Sequence, residues 1–172
     1  MTMAASIAVL TLIANLLIMG GEAVLSSFNE RVLRARGAIE PTGDVIGVMR
    51  WLYPGSFIAM ALEGALKGPA PRDVLLIGLA IFGLAKALKV WAISTLGGRW
   101  SYRVLVVPGE PLIARGPYRF LSHPNYLAVV GELVGMAMIV WAPVTGIAAL
   151  IAFGRLMVAR IRVEDRALGR IK

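Results

Sequence analysis

Gly116-Pro117-Tyr118-Arg119-Phe120-Leu121-Ser122-His123-Pro124-Asn125-Tyr126, followed at once by the apolar run 127–141, is the stretch on which the reading of this chain turns. The first part is polar, rich in turn residues and holds the single histidine. The second reads as a helix, with Pro124 suited to its first turn and a carboxylate, Glu132, inside it. A polar turn feeding an apolar helix belongs at a membrane surface. Polar groups there can hold a water-soluble ligand while the lipid side delivers a greasy one.

Composition agrees. The chain has 172 residues, of which 58% are hydrophobic and 16% charged, and its mean hydropathy is +0.76. One soluble domain of this length cannot bury that much apolar surface, so lipid must cover part of it. The absence of cysteine excludes disulfides, iron–sulfur clusters and thiolate metal sites. A single histidine argues against a histidine-built metal centre, and no metal is expected. The formal charge of +8 sits on residues that flank apolar spans, which favours anionic lipid over nucleic acid as the partner. Without a basic n-region, the N-terminus reads as a first span rather than a cleaved signal peptide.

Five spans follow from the roughly 20 apolar residues a bilayer core demands. The first covers about 4–25 and contains Asn15 and Glu22. A polar stretch with Arg31, Arg34 and Arg36 leads to turn signals at Pro41 and Gly43. The second span covers about 45–66 and ends in a turn at Lys67-Gly68-Pro69-Ala70-Pro71-Arg72. The third covers about 73–96. The fourth begins at Pro124 and ends at Trp141-Ala142-Pro143; the fifth returns from there to about residue 159 and continues as a helix beyond the membrane. Residues 97–125 are not a span. Their β-like run Val104-Leu105-Val106-Val107 and the turn Pro108-Gly109-Glu110-Pro111 predict a small surface hairpin. The expected fold is thus an all-α integral membrane protein. It forms one domain, 1–172, with two N-terminal spans in 1–72 and a functional core in 73–172.

Basic residues set the orientation. With five spans, one face carries Arg31, Arg34, Arg36, Arg50, Arg99, Arg103, Arg115, Arg119, Arg160, Arg162, Arg166, Arg170 and Lys172; the other carries only Lys67 and Arg72. The first face is expected to be cytoplasmic and the N-terminus outside.

Several residues have chemical potential. The helix opening at Pro124 presents free N–H groups and a dipole that favour an anion. Glu132 lies about 12 Å further along that helix, inside the membrane. A carboxylate at that depth is either salt-bridged, to Lys86, Lys89 or Arg155, or functional. Lys86 and Lys89 are expected to snorkel to the surface. Arg160 and Glu164, four apart, share a helix face. They form either an ordinary ion pair or a pair turned toward the His123 loop across the last hairpin. Tyr118 and Tyr126 are interfacial aromatics or covers for a cofactor ring. Gly97-Gly98 ends a helix; no dinucleotide-type glycine fingerprint is present.

Taken in order, Leu96-Gly97-Gly98-Arg99-Trp100-Ser101, the segment 116–126, Glu132 and Arg160-Ile161-Arg162-Val163-Glu164 resemble the isoprenylcysteine carboxyl methyltransferase family of integral membrane enzymes. The resemblance covers about the second half of the chain, from Lys86 onward. It implies S-adenosylmethionine as cofactor, held in a cytoplasmic pocket without a Rossmann domain. Tyr118, His123, Pro124, Asn125, Tyr126 and the backbone of Glu110, Pro111, Leu112 and Ile113 would contact it. Glu164 would hold its ammonium. Arg160 would be the catalytic residue beside the reacting oxygen, with Glu132 also on the substrate side. Where the family often has Arg before His-Pro, this chain has Ser122, and Arg119 is the candidate substitute. The resemblance implies methylation of an oxygen on a lipophilic acceptor: a lipid or polyketide hydroxyl ahead of a prenylcysteine-like carboxylate, and an amine third. The abundance of Ala, Gly, Val and Arg points to a bacterial cytoplasmic membrane. Two other readings stand beside it: a nicotinamide-dependent membrane reductase of the sterol-reductase type, and a small transporter or assembly protein built around Glu132 and the lysines.

Overall fold

The computed structural model describes residues 2–169. Five α-helices carry the chain: α1 Met3–Ala35, α2 Ile46–Lys67, α3 Arg72–Leu96, α4 Pro124–Ile139 and α5 Pro143–Ala167. The helices that contain α1, α3 and α5 are long and apolar enough to cross a membrane. The 16 residues of α4 are apolar but shorter, and α2, 22 residues long, carries Arg50, Glu63 and Lys67. Large apolar side chains such as Leu10, Leu17, Leu84 and Ile151 face outward along α1, α3 and α5, the surface that lipid covers. The protein is an integral membrane protein. Arg170 and Lys172 of the basic face lie outside the described residues.

Three sequence expectations change. First, α1 does not stop near residue 25. It runs to Ala35, 33 residues in all and about 50 Å at 1.5 Å per residue, so Arg31 and Arg34 are helical. Second, no strand forms among the described residues, and the hairpin within 97–125 is absent. Val106 instead exchanges both backbone hydrogen bonds with Ile39 of the α1–α2 loop, at 2.9 and 3.0 Å. Pro108 and Pro111 interrupt the would-be return strand and contribute no N–H to a ladder. Third, Lys86 and Lys89 do not snorkel outward. Both turn into the helix bundle, and Lys89 is 3% exposed.

The core gathers around α4, whose Ala128, Leu133 and Met136 are fully buried. It packs most extensively on α3. Glycines permit this: a Cβ at Gly135 would stand 2.7 Å from the Phe82 backbone nitrogen, and one at Gly131 would stand 2.8 Å from Ala85 Cβ. Small residues let helices approach closely where apolar lipid offers no drive to pack. The α4–α5 turn is tight, with Trp141 at φ 56° and the Ala142 N–H bonded to the Ala137 carbonyl at 2.8 Å. This hairpin sets α5 beside α4, so that residues 123–126 and 160–165 meet at one end of the bundle.

Candidate functional site

A cavity of about 210 Å³ lies at that end, under the 97–123 loop. The C-terminal end of α1 clamps the loop. Asn29 Nδ2 donates to the carbonyl oxygens of Trp100 (2.8 Å) and Gly97 (3.2 Å). The Tyr102 N–H donates to Ser26 Oγ at 2.8 Å. Arg103 reaches Glu40 at 2.6 Å and Glu30 at 3.4 Å. Glu110 is gripped by Arg36 and Arg99, and Arg99 also donates to the Pro111 carbonyl at 2.7 Å. Gly116 has φ +55° and leaves no room for a side chain beside Thr95, which fixes how the loop turns down toward α4.

Nearly every residue singled out from sequence lines this cavity: Glu110, Pro111, Leu112 and Ile113 from the loop, then Tyr118 and the turn His123, Pro124, Asn125 and Tyr126, then Arg160 and Glu164 from α5. Two are placed elsewhere. Glu132 is 0% exposed. Lys89 holds it at 2.9 Å, Lys86 at 3.0 Å, and the Tyr53 hydroxyl also donates to it. It belongs to an ionic cluster inside the bundle rather than to the cavity wall. Arg119 lies over the Phe120 ring, 5.8 Å from its centre, and is not among the residues that line the cavity. The arginines that line it are Arg99, Arg103 and Arg160.

His123 joins the turn to α5. Its Nε2 stands 3.0 Å from Asp165 Oδ1 and its Nδ1 3.6 Å from Glu164 Oε2. Burial works against protonation of this imidazole, but the Glu164 and Asp165 carboxylates outweigh it and hold the pKa above the ordinary histidine value. The Tyr126 hydroxyl donates to Glu164 Oε2 at 2.7 Å, and its ring stacks on His123 at 5.4 Å. Asn125 Oδ1 is buried without a hydrogen-bond partner. Arg160 and Glu164 share the wall, yet they are not each other's anchors. Arg160 is buried and donates through Nη2 to the Tyr102 carbonyl, and its Nε faces Asp44 Oδ1 at 3.5 Å.

Sequence reasoning missed the contribution of the N-terminal half. Asp44, Ser26, Asn29 and Glu30 all support the site. One signal was present: Glu22, Ser26, Asn29 and Glu30 form a polar stripe at helical spacing on an otherwise apolar helix. Asp44 offered no such signal, because only folding brings it to Arg160.

The sequence profile of the isoprenylcysteine carboxyl methyltransferase family matches residues 76–170, the hairpin and both walls of this cavity. The chain belongs to that family. It is therefore a membrane methyltransferase. Relatives extend over the N-terminal half as well. An uncharacterized protein of Bacillus subtilis, YpbQ, is 31% identical over 147 residues, covering 86% of this chain and 88% of its own. An uncharacterized protein of Haemophilus influenzae is 24% identical over 148 residues, 86% of each chain. No solved structure matches the chain.

Proposed function

We propose that the cavity binds S-adenosylmethionine and that the enzyme methylates an oxygen of a lipophilic acceptor, at the cytoplasmic side of a bacterial membrane. The observation that carries this reading is the convergence of Glu164, His123 and Tyr126 in one wall, with Arg160 beside them. The donor set fits the cofactor. Glu164 suits an ammonium; in this structure His123 Nδ1 lies 3.6 Å from its Oε2. The α4 N-terminus, opening at Pro124, suits a carboxylate. The orphaned Asn125 Oδ1 is an acceptor aimed into buried space. Leu105, Val106, Leu112 and Ile113 give an apolar wall for a ring. When bound, the cofactor would supply a methyl group activated on a sulfonium.

The chain's own task is alignment and electrostatics, because methyl transfer is an in-line displacement that needs no covalent nucleophile. Arg160 is placed to hold an acceptor oxygen and stabilise charge on it. The loop, clamped by α1, covers one side of the cavity. The acceptor's apolar tail stays in lipid and enters between helices. Membrane lipids surround the protein, and nucleic acid has no part.

Calorimetry with S-adenosylhomocysteine on detergent-solubilised protein tests the reading. Glu164→Gln removes the ammonium's partner, and affinity should fall about 10- to 150-fold, the worth of a charge-assisted hydrogen bond. Arg160→Ala should lower turnover about 10²–10³-fold, with a far smaller effect on cofactor affinity. Turnover is read as label passed from S-adenosylmethionine to extracted lipids. Wild-type protein that binds nicotinamide cofactor and not S-adenosylhomocysteine would make it a reductase.

A further inference from the structure

Arg160 owes its position to one residue of the loop. Its Nη2 donates to the Tyr102 carbonyl. Its Nη1 meets the soft Met49 Sδ at 3.8 Å, and its Nε, 3.5 Å from Asp44 Oδ1, makes no hydrogen bond. Among the described residues, the Tyr102 carbonyl is therefore the one oxygen to which this guanidinium donates a hydrogen bond. Hydrogen bonds weaken steeply as their geometry is lost, so the Tyr102 backbone sets where the charge stands. Arg160 and Tyr102 both line the cavity. Tyr102 is itself gripped by α1 at two points one helical turn apart. Its N–H donates to Ser26 Oγ at 2.8 Å, and its hydroxyl donates to Glu22 Oε2 at 3.2 Å. Its ring stands edge-on to the buried Trp100, with centroids 5.3 Å apart. Burial, with the Glu22 carboxylate beside it, pushes the phenol well above its ordinary pKa, so it stays a donor. Glu22 in turn faces Lys89 Nζ at 3.3 Å, and Lys89 also holds Glu132.

We infer that Glu22 and Tyr102 are positioning residues for Arg160: the carboxylate on α1 fixes the tyrosine, whose carbonyl fixes the guanidinium. The inference rests on the methyltransferase reading above. A continuous set of polar contacts runs from the ionic cluster inside the bundle to the cavity wall and ends on Arg160. Alignment is what methyl transfer asks of the protein, and a displacement of about 1 Å can cost about 10²-fold in rate. The cofactor half of the loop does not depend on this chain of contacts. Glu110 is held by Arg36 and Arg99, and the Pro111 carbonyl accepts from Arg99 at 2.7 Å. Releasing the Tyr102 hydroxyl should therefore disturb the aim of Arg160 and spare the cofactor's contacts. This gives Glu22 a part in turnover, although it lies outside the segment 76–170 that the family profile matches and does not line the cavity.

The test separates aim from binding. Turnover is read as label passed from S-adenosylmethionine to extracted membrane lipids, per site that binds S-adenosylhomocysteine, so that misfolded protein does not count. Tyr102→Phe removes the hydroxyl and keeps the carbonyl. It and Glu22→Leu should each lower turnover about 10- to 100-fold, with S-adenosylhomocysteine affinity unchanged. Both break the same hydrogen bond, so the double variant should be no worse than the poorer single one. Glu22→Gln keeps an acceptor and should retain most of the turnover. Nitrogen NMR of the arginine side chains gives a reading that needs no methyl acceptor: the Arg160 signal, assigned by its loss in Arg160→Lys, should show slowed Nη rotation in the wild type and faster rotation in Tyr102→Phe. Normal turnover in Tyr102→Phe, losses that multiply in the double variant, or Arg160 rotation unchanged by Tyr102→Phe would each overturn the inference. So would a parallel loss of turnover and cofactor affinity, the mark of a merely structural loop contact. A wild type that does not bind S-adenosylhomocysteine sinks the methyltransferase reading and the inference with it, whereas binding with turnover untouched by Tyr102→Phe sinks the inference alone.

Discussion

Replacing Lys89 with Met should destabilise this protein more than any exposed substitution, and the size follows from the cluster it joins. Lys89 Nζ stands 2.9 Å from Glu132 Oε1 and 3.3 Å from both Glu22 Oε2 and the Tyr53 hydroxyl. Lys86 adds a second contact to Glu132 at 3.0 Å. Two carboxylates and two ammonium groups balance inside the bundle. Removing one ammonium leaves Glu22 and Glu132 sharing Lys86 alone. Breaking a buried pair in this way costs about 3–5 kcal/mol. At roughly 2–4 °C per kcal/mol for a chain of this size, the midpoint should drop by roughly 6–20 °C. The assay is thermal unfolding in one fixed detergent, for Lys89→Met, Glu22→Gln and the double variant. The double variant restores neutrality and keeps the Lys86–Glu132 pair, so it should regain at least half of the loss. A Lys89→Met midpoint within about 2 °C of wild type, or losses that simply add in the double variant, would refute the argument that charge balance holds the cluster. The Tyr102 hydroxyl donates to Glu22 at 3.2 Å, and the Tyr102 carbonyl holds Arg160. Lys89→Met should therefore also loosen the cavity wall.

Three further outcomes follow from the same geometry. The raised pKa of His123 means that its contribution to stability is fully present below about pH 6.5, the unfolded value, and is lost as pH rises through the higher folded value. The melting midpoint should decline across that window in wild type and stay flat in His123→Gln. Affinity for S-adenosylhomocysteine should rise across the same window, because an ammonium at Glu164 competes with the imidazolium; affinity that falls instead would separate Glu164 from the ammonium. Gly135→Ala forces a Cβ to 2.7 Å from the Phe82 backbone nitrogen and should cost about 1–3 kcal/mol by overpacking α3 on α4; Gly83→Ala, with nothing within 4 Å, is the neutral control in the same unfolding assay. The asymmetry of basic residues predicts a C-terminus on the inside, so a C-terminal tag should stay unlabelled by an impermeant reagent on intact cells; labelling would reverse the topology.

How far the site was legible depends on how local its signals are. Residues 116–126, Arg160 and Glu164 could be singled out because each lies beside a helix end or within one helical turn of its companion; that they gather around one cavity came from the fold. Glu132 was legible as buried and costly, but sequence left its role open between ion pair and function. Three-dimensional contact with Lys86 and Lys89 decided for the ion pair. The hairpin expected around residues 104–107 failed because β-propensity gives a strand no partner. Val106 pairs with Ile39, 67 residues away in the chain, and only the fold could choose it.

The sequence by itself determined the medium and the family. Apolar periodicity and composition demand lipid, and the motif order from Leu96 to Glu164 carries the family resemblance. These follow from residue type and short spacing, which survive in a one-dimensional string. The tertiary structure decided which charges neutralise one another and which residues of the N-terminal half enter the site. Burial makes an unpaired charge costly, so the lysines turn inward to the carboxylates that α1 and α4 bring to them. The long α1, through Ser26, Asn29 and Glu30, holds the loop that covers the cavity. Asp44 meets Arg160 because two segments 116 residues apart pack at the same end of the bundle, a proximity that no local pattern encodes.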